Sequence, residues 1–310
     1  MAGDERSLIP VFCGPTAAGK SAIALWLADR QPTTAIIADS RQIYRHFDVG
    51  TAKPSSADIA AVPHRGIDLI EPTERYSAAA WAVNADAWID EARSAGRTPL
   101  VVGGTGFYLR ALFEPLFEEP ALDAIARRRL EQLLGPYSVT ELQRWVAALD
   151  PERAHLGRAQ LLRAIEVALL SGHRLSTLHV AQGRPARRAA RYLVVDPGPV
   201  LADRIEARLD VMLAGGWVEE VRELITSVPE DAPAWNATGY RAIRDCVLGK
   251  RDRAQAREAV LVATRQYAKR QRTWLRHQLN GNDVTHLDPL DQSWMSVAER
   301  WLSESMRRSA

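Results

Sequence analysis

GPTAAGKS, from Gly14 to Ser21, is the stretch whose reading decides the fold. It fits the pattern G-x-x-x-x-G-K-[ST], and its neighbours supply the context that the pattern needs. Leu8-Ile9-Pro10-Val11-Phe12-Cys13 is a short apolar run, read as a buried strand, and Ser21 to Asp29 is apolar at helical spacing. Strand, glycine-rich turn and helix in that order make a phosphate-binding loop. Gly14 and Gly19 let the chain turn tightly, so that Gly14, Pro15, Thr16, Ala17, Ala18, Gly19, Lys20 and Ser21 form one cradle. Successive N–H groups then point at a single anion, and the helix that follows adds the partial positive charge of its N-terminus. Lys20 brings a mobile point charge, and the Ser21 hydroxyl is placed to hold a magnesium ion.

Composition sets the limits. The chain has 310 residues, 46% hydrophobic and 25% charged, enough for one large or two modest domains with real cores. A formal net charge of only +2 means that affinity for a polyanion must come from local clustering. No apolar run approaches the roughly 18 residues of a membrane span, and the first ten residues hold no apolar signal core. A soluble, cytoplasmic protein is expected. Cys13 and Cys246 stand far apart with no C-x-x-C pair, so both read as small buried hydrophobes rather than zinc or disulfide partners.

Working outward from the loop, Thr34–Ala38 reads as a second buried strand, with Asp39-Ser40 at its carboxyl end. Ligands of open α/β sheets bind beyond the carboxyl ends of strands, so Asp39 is expected in the same crevice as the loop; a helix cap is the alternative. Ile67–Ile70 reads as a small strand. Ser77 caps a helix to about Ala95, with Trp81, Ala85 and Trp88 on one face. Pro99–Val102 is a third buried strand, running into Gly103-Gly104-Thr105-Gly106. Phosphate-loop hydrolases place a magnesium-binding Asp after such a strand; here Thr105 stands instead, which argues against an ordinary ATPase or GTPase.

From about Pro115 to Arg191 strand signals vanish. Helical patterns over Ala124–Leu134, Val139–Leu149 and Arg158–Leu170 take over, the last with Leu161, Leu162, Ile165 and Leu169 as an apolar stripe. The expected architecture is α/β: a phosphate-loop core, 1–114 with 192–310, whose parallel sheet is flanked by helices, plus an inserted helical domain at 115–191. Arg184–Arg191 concentrates four arginines and reads as a linker or a lid. Tyr192–Asp196 returns to strand, and Val200–Ala214 is a helix with Arg204 and Arg208 on one face. Arg253 to about Leu279 is the longest helix. Its Arg265, Lys269, Arg272 and Arg276 form a basic stripe, either a solvated face or a polyanion contact.

Taken together, GPTAAGKS, ADSRQIYRHFDVGTAKP (Ala38–Pro54), PHRGIDLIEPTERYSAA (Pro63–Ala79), PLVVGGTGFYLRAL (Pro99–Leu112), LLRAIEV (Leu161–Val167) and ATRQYAKRQRTWLR (Ala263–Arg276) resemble the tRNA dimethylallyltransferases, in the family's order from about Ile9 to Arg276. The resemblance implies transfer of a dimethylallyl group from its diphosphate to the exocyclic N6 of an adenine in tRNA. That adenine lies 3′ of the anticodon in tRNAs reading codons that begin with U, and Mg2+ is required. Asp39 matches the family's base, and because negative charge grows on the departing diphosphate, the Thr105 hydroxyl is expected to help stabilise it, with Arg208 a candidate for an added diphosphate clamp. The resemblance implies tRNA contacts from Asp39, Ser40, Arg41 and Gln42, from Thr105, from Gln160 and Arg163, and from Gly239, Tyr240 and Arg241. The spacing of the basic stripe adds Lys269 and Arg272 as expected contacts with tRNA phosphates. The anticodon stem-loop and dimethylallyl diphosphate are the partners, no membrane is involved, and a monomer is expected.

Some positions depart from the family's pattern. Between Pro151 and Arg163 the chain is about three residues short of a Pro-Asn-Asp-like segment, Gln160 stands where an arginine is usual, and Asn236 occupies another position that is often arginine. The alternatives are an adenylate isopentenyltransferase acting on free AMP, ADP or ATP, a small-molecule phosphate-loop kinase, and a non-catalytic RNA-binding protein. The helical insertion and the basic stripe favour a macromolecular acceptor.

Overall fold

Parallel strands buried on both faces read as near-continuous apolar runs, and the strands nearest the loop follow this apart from Thr33, Thr34 and Thr98 at their starts. In the computed structural model, which describes residues 7–114, 116–117, 120, 122–181, 183–184, 188–279, 281 and 283–308, the chain begins β1 (Ser7–Cys13), α1 (Lys20–Ala28), β2 (Thr33–Ala38), α2 (Ser56–Ala61), β3 (His64–Arg65), α3 (Ala78–Ser94), β4 (Thr98–Gly103) and α4 (Gly106–Phe113). A helical stretch follows, with β5 (Leu116–Phe117), α5 (Ala124–Leu134), α6 (Val139–Leu149), α7 (Arg158–Ser171), α8 (Leu175–Ala181) and β6 (Gly183–Arg184). The chain then runs through β7 (Arg188–Val195), α9 (Leu201–Ala214), α10 (Trp217–Ser227), α11 (Tyr240–Val247), α12 (Arg253–Gln278), β8 (Val284–Leu287) and α13 (Trp294–Arg307). Every residue of β2 and of β4 is buried.

Six strands form one parallel sheet in the order β3-β2-β4-β1-β7-β8. The register sets three strand ends side by side: Gly103 pairs with Ala38 on one flank and with Cys13 on the other. The phosphate loop, the Asp39 turn and the Gly104–Gly106 turn therefore leave the sheet next to one another. One core cluster joins Phe12, Leu27, Leu100, Val102 and Leu193 to Trp301 and Leu302 of α13. Trp81 of α3 is fully buried, and its indole N–H donates to the Ile37 carbonyl, 3.1 Å away. Phe12, Leu100 and Trp81 tie both faces of the sheet to helices.

The chain divides into two compact units, Met1–Phe113 with Arg187–Ala310, and Glu114–Ala186. The second unit has its own core of Leu134, Leu142, Val146, Leu161, Ala164 and Ile165. Buried Asp150 accepts bonds from the N–H and the hydroxyl of Ser176, at 2.9 and 2.6 Å, which fixes the start of α8.

Several expectations need correction. Ile67–Ile70 is not a strand: His64–Arg65 pairs with β2 instead, and Ile70 makes only an isolated bridge to Tyr44. Strand signals do not vanish in the insertion, since β5 and β6 form a two-residue antiparallel ladder. The strand expected at Tyr192 begins at Arg188, because the Arg188 guanidinium is buried on Asp86 and Asp90, at 2.7 and 2.6 Å. Arg191 is likewise buried, bonded to the Trp301 carbonyl and Glu304. Two of the four clustered arginines are thus internal struts rather than a lid; Arg187 lies outside the described residues, as does most of the N-terminal segment read for a signal core. Leu169, assigned to the apolar stripe of α7, is exposed.

Gly103 is the pinch point of this arrangement. A Cβ there would overlap the Ala38 carbonyl and approach the Ala38 side chain to 2.7 Å. Gly103→Ala must spread β2 from β4 and is expected to cost about 1–3 kcal/mol, read as a fall of several degrees in thermal midpoint. An unchanged midpoint would mean that the two strands part freely at this end.

Candidate active site

Local geometry builds the site from its loop. Gly19 takes φ +101°, the left-handed conformation that suits glycine, and caps α1. A Cβ on Gly14 would overlap the Val195 carbonyl, so the loop can cross the end of β7 only with glycine there. Lys20 is folded back, its Nζ donating to the carbonyls of Gly14 and Pro15 at 3.0 and 2.7 Å. Burial, with the Arg208 guanidinium added, pushes its ammonium down to about 8, while Asp39 opposes that shift. Cys13, directly beneath, is pushed up to about 12 by burial and is chemically quiet.

Two arginines of α9 close over the loop. Arg204 Nε donates to the Ala17 carbonyl at 3.0 Å, and Arg208 Nη1 donates to the Thr16 hydroxyl at 3.3 Å. Burial lowers the Arg208 guanidinium as well. Thr16, Ala17, Asp39, Arg41 and Arg208 line one cavity, whose other wall is apolar: Ile205, Leu209, Met212, Trp217 and Val260. A cationic end and an apolar end meet there beside a carboxylate.

Asp39 follows β2 directly. Its Oδ1 accepts the Arg41 N–H at 2.8 Å, a turn that holds the carboxylate at the strand end. Across from it, Thr105 Oγ1 accepts the Ser40 N–H at 3.1 Å and meets the Tyr267 hydroxyl. Burial and the Asp39 charge push Tyr267 up to about 12, so it stays protonated at neutral pH. The expected pair, Asp39 and Thr105, is therefore joined through the backbone of Ser40, with Tyr267 as a third member.

Other expected residues fall elsewhere. Ser21 is exposed and lines a separate cavity with Gln42 and His64. The Gln42 amide donates to the carbonyls of Thr51 and Ala52, both at 3.1 Å. In the helical unit, Gln160 accepts the Gly157 N–H at 3.1 Å and caps α7, and Arg163 pairs with Glu166 at 2.6 Å. Arg241 is on the surface, bonded to Asn236 at 2.7 Å, and Gly239 turns the chain into α11 at φ +90°. Lys269 is exposed.

Two of the expected contact residues are engaged within the protein. Tyr240 is fully buried, its hydroxyl donating to Glu220 at 2.6 Å and accepting the Gly50 N–H at 3.1 Å, so it braces the 48–51 loop. Arg272 of the basic stripe, partly exposed, grips Asp196 at 2.8 and 2.5 Å and the Gly198 carbonyl at 2.5 Å, tying α12 to the end of β7.

Three contributors escaped the sequence. Gln271 is buried, accepts the Thr16 N–H at 2.8 Å and donates to the Gly104 carbonyl at 2.9 Å, so it links two of the three loops. It sits inside the motif ATRQYAKRQRTWLR, where attention to charge alone passed over the amide. Glu220 accepts the N–H groups of Asp48 and Val49 at 2.8 and 2.6 Å. Tyr267 lies in the same motif and, like Gln271, carries no charge.

Known proteins bear on this geometry. The family model described as IPP transferase matches residues 42–278. A tRNA dimethylallyltransferase of Halorhodospira halophila is 45% identical over 293 residues, covering 91% of this chain and 94% of its own. One from an Anaeromyxobacter species is 43% identical, covering 86% and 91%. Among solved structures, a full-length tRNA isopentenylpyrophosphate transferase from Bacillus halodurans superposes with a TM-score of 0.69 at 29% identity, over 98% of each chain.

The depressed Lys20 ammonium gives a pH signature. A bound dianion favours the charged lysine, so below pH 8 the free protein is ready and above it each binding event must take up a proton. Pyrophosphate affinity is therefore expected to hold below about pH 8 and to fall up to tenfold per pH unit above it. Calorimetric titration from pH 7 to 10 measures this. Lys20→Met should bind more weakly and lose that added pH dependence; a parallel decline in the mutant would remove Lys20 as its source.

Proposed function

The chain belongs to the IPP transferase family, and on that premise we propose that it transfers a dimethylallyl group from dimethylallyl diphosphate to N6 of the adenosine 3′ of the anticodon, in tRNAs reading codons that begin with U. The observation that carries this reading is the cavity in which Asp39 stands beside Thr16, Arg208 and an apolar wall. An anionic leaving group, a five-carbon tail and an amine acceptor each find a matching surface there.

The exocyclic amine of adenine is a poor nucleophile, because its lone pair is drawn into the ring. As its nitrogen bonds to C1 of the prenyl group, the C1–O bond breaks and diphosphate departs with the electron pair. Asp39 takes the proton that the nitrogen loses. Negative charge grows on the bridging oxygen, where Lys20, Arg208 and the loop N–H groups stabilise it. Lys20 must first leave the Gly14 and Pro15 carbonyls, and Gln271 must yield the Thr16 N–H if that donor is to serve the diphosphate. The Thr105 hydroxyl, bonded to the Ser40 N–H and to Tyr267, is assigned to the same reacting centre as a second catalytic group.

Magnesium fits this donor set as a companion of the substrate. The described residues contain no cluster of three acidic, histidine or cysteine side chains able to cage a metal, and Ser21, an exposed residue that lines the second cavity, carries the hydroxyl proposed to hold the ion. Such a site suits an ion that keeps its waters and leans on substrate phosphates; when bound, it neutralises diphosphate charge. The helical unit of residues 114–186 is the proposed grip on the anticodon stem-loop, assisted by Arg41, Arg241 and Lys269. Action as a monomer is part of the same proposal. No described helix is long and apolar enough to cross a membrane, in keeping with work on tRNA in the cytoplasm.

Incubation with labelled dimethylallyl diphosphate and either unmodified tRNA or AMP tests the reading; label should enter tRNA, and label in AMP alone would overturn it. Asp39→Asn should lower turnover by about 10²–10⁴-fold with tRNA affinity little changed, and near-normal turnover would remove Asp39 as the base. Lys269→Gln should flatten the dependence of log K on log salt by about 0.7–0.9, the share of the one phosphate that the lysine neutralises. Arg272→Gln should instead lower the thermal midpoint, because it strands Asp196; equal salt slopes for wild type and Lys269→Gln would make that face merely solvated.

A further inference from the structure

We infer that Trp217, seated on a pair of glycines in the apolar wall, is the gauge that limits the prenyl donor to five carbons. The inference rests on the cavity holding the prenyl diphosphate, as proposed above. Helix α9 acts as a ruler along that cavity. Arg204 and Arg208 mark the phosphate end, bonded to Ala17 and Thr16, and Met212 lies one turn farther on. Four residues of helix advance about 6 Å. A dimethylallyl group reaches roughly 5 Å from its oxygen, over four bonds of about 1.5 Å. The tail therefore ends near Met212, and Trp217, which follows α9 directly after the Gly215-Gly216 turn, lines the same cavity.

Trp217 cannot step aside. It is 1% exposed, and its ring lies so close to Gly50 and Gly239 that a Cβ on either would overlap it. The buried Tyr240 ring meets it edge-on at 5.3 Å. Tyr240 is in turn fixed by Glu220 and by the Gly50 N–H. The indole N–H of Trp217 is buried with no hydrogen-bond partner among the described residues. An orphaned donor costs about 1–3 kcal/mol, so hydrogen bonding does not account for an indole at this position. What the ring supplies is a rigid, flat, apolar stop. A second isoprene unit would need about another 5 Å, into space that the indole fills.

Donor competition tests this. Wild type, Trp217→Leu and Met212→Ala are each given tRNA with dimethylallyl or geranyl diphosphate, and binding of each diphosphate without tRNA is followed by thermal shift. Trp217→Leu should raise the ratio of kcat/KM for geranyl over dimethylallyl diphosphate by about 10–100-fold. It should also gain stabilisation by geranyl diphosphate. Met212→Ala, which shortens a flexible side chain before the stop, should raise the ratio far less. If Trp217→Leu folds and uses dimethylallyl diphosphate yet gains nothing with geranyl diphosphate, the gauge is refuted. If it fails to fold, Met212→Ala decides: a gain equal to the full 10–100-fold moves the stop from Trp217 to Met212 and overturns the proposal, while a small gain upholds it. Failure of wild type to prenylate tRNA at all would strike the functional reading instead, and the thermal-shift comparison of the two diphosphates would still judge the gauge.

Discussion

Contact between the ends of β2, β4 and β1 at Gly103 is the constraint on which the site depends. Parallel strands in register deliver their following loops to one edge of the sheet, but only if the backbones approach closely to the last residue. Ala38, Gly103 and Cys13 do so because the central one has no side chain. The carboxylate after β2, the hydroxyl after β4 and the anion cradle after β1 are then neighbours by topology. None of them needs a long-range tether of its own. Gln271 tightens what the register has already arranged, joining the cradle to the β4 turn with both ends of one amide.

Electrostatically, the cradle is held in an unfulfilled state. Lys20 and Arg208 both lie where burial disfavours their charge, and each feels the carboxylate of Asp39. Lys20 rests on backbone carbonyls that a phosphate would outcompete. Two cations with incomplete compensation in a shielded pocket favour a multiply charged anion over a singly charged one.

Much of this was legible in the sequence where chemistry is local. Strand, turn and helix around Gly14–Ser21 follow from residues adjacent in the chain, and Asp39 and Thr105 follow from their places after apolar runs. What resisted reading depends on partners distant in sequence. The period of α12 showed that Arg272 shares a face with Lys269, but not that Asp196 waits opposite it. Tyr240 stood in a plausible contact loop, yet Phe47, Trp217 and Trp235 surround its ring and Glu220 accepts its hydroxyl. Val284–Leu287 and Trp294–Arg307 went unread because β8 is short and only partly buried, and α13 packs through Ala298, Trp301 and Leu302 against a core already complete in outline.

The seat of the Trp217 indole also carries an evolutionary consequence. Gly50 and Gly239 lie far apart in the chain, and the same ring excludes a Cβ at both, with Val260 adding to the restraint at Gly239. Their freedom to change is therefore conditional on position 217. In a lineage with a smaller residue there, a Cβ at position 50 would no longer meet an indole, although φ +90° would still weigh on position 239. The three positions form one coupled unit of substitution, and an ancestor could have crossed from one state to the other most readily by shrinking the ring before filling either glycine.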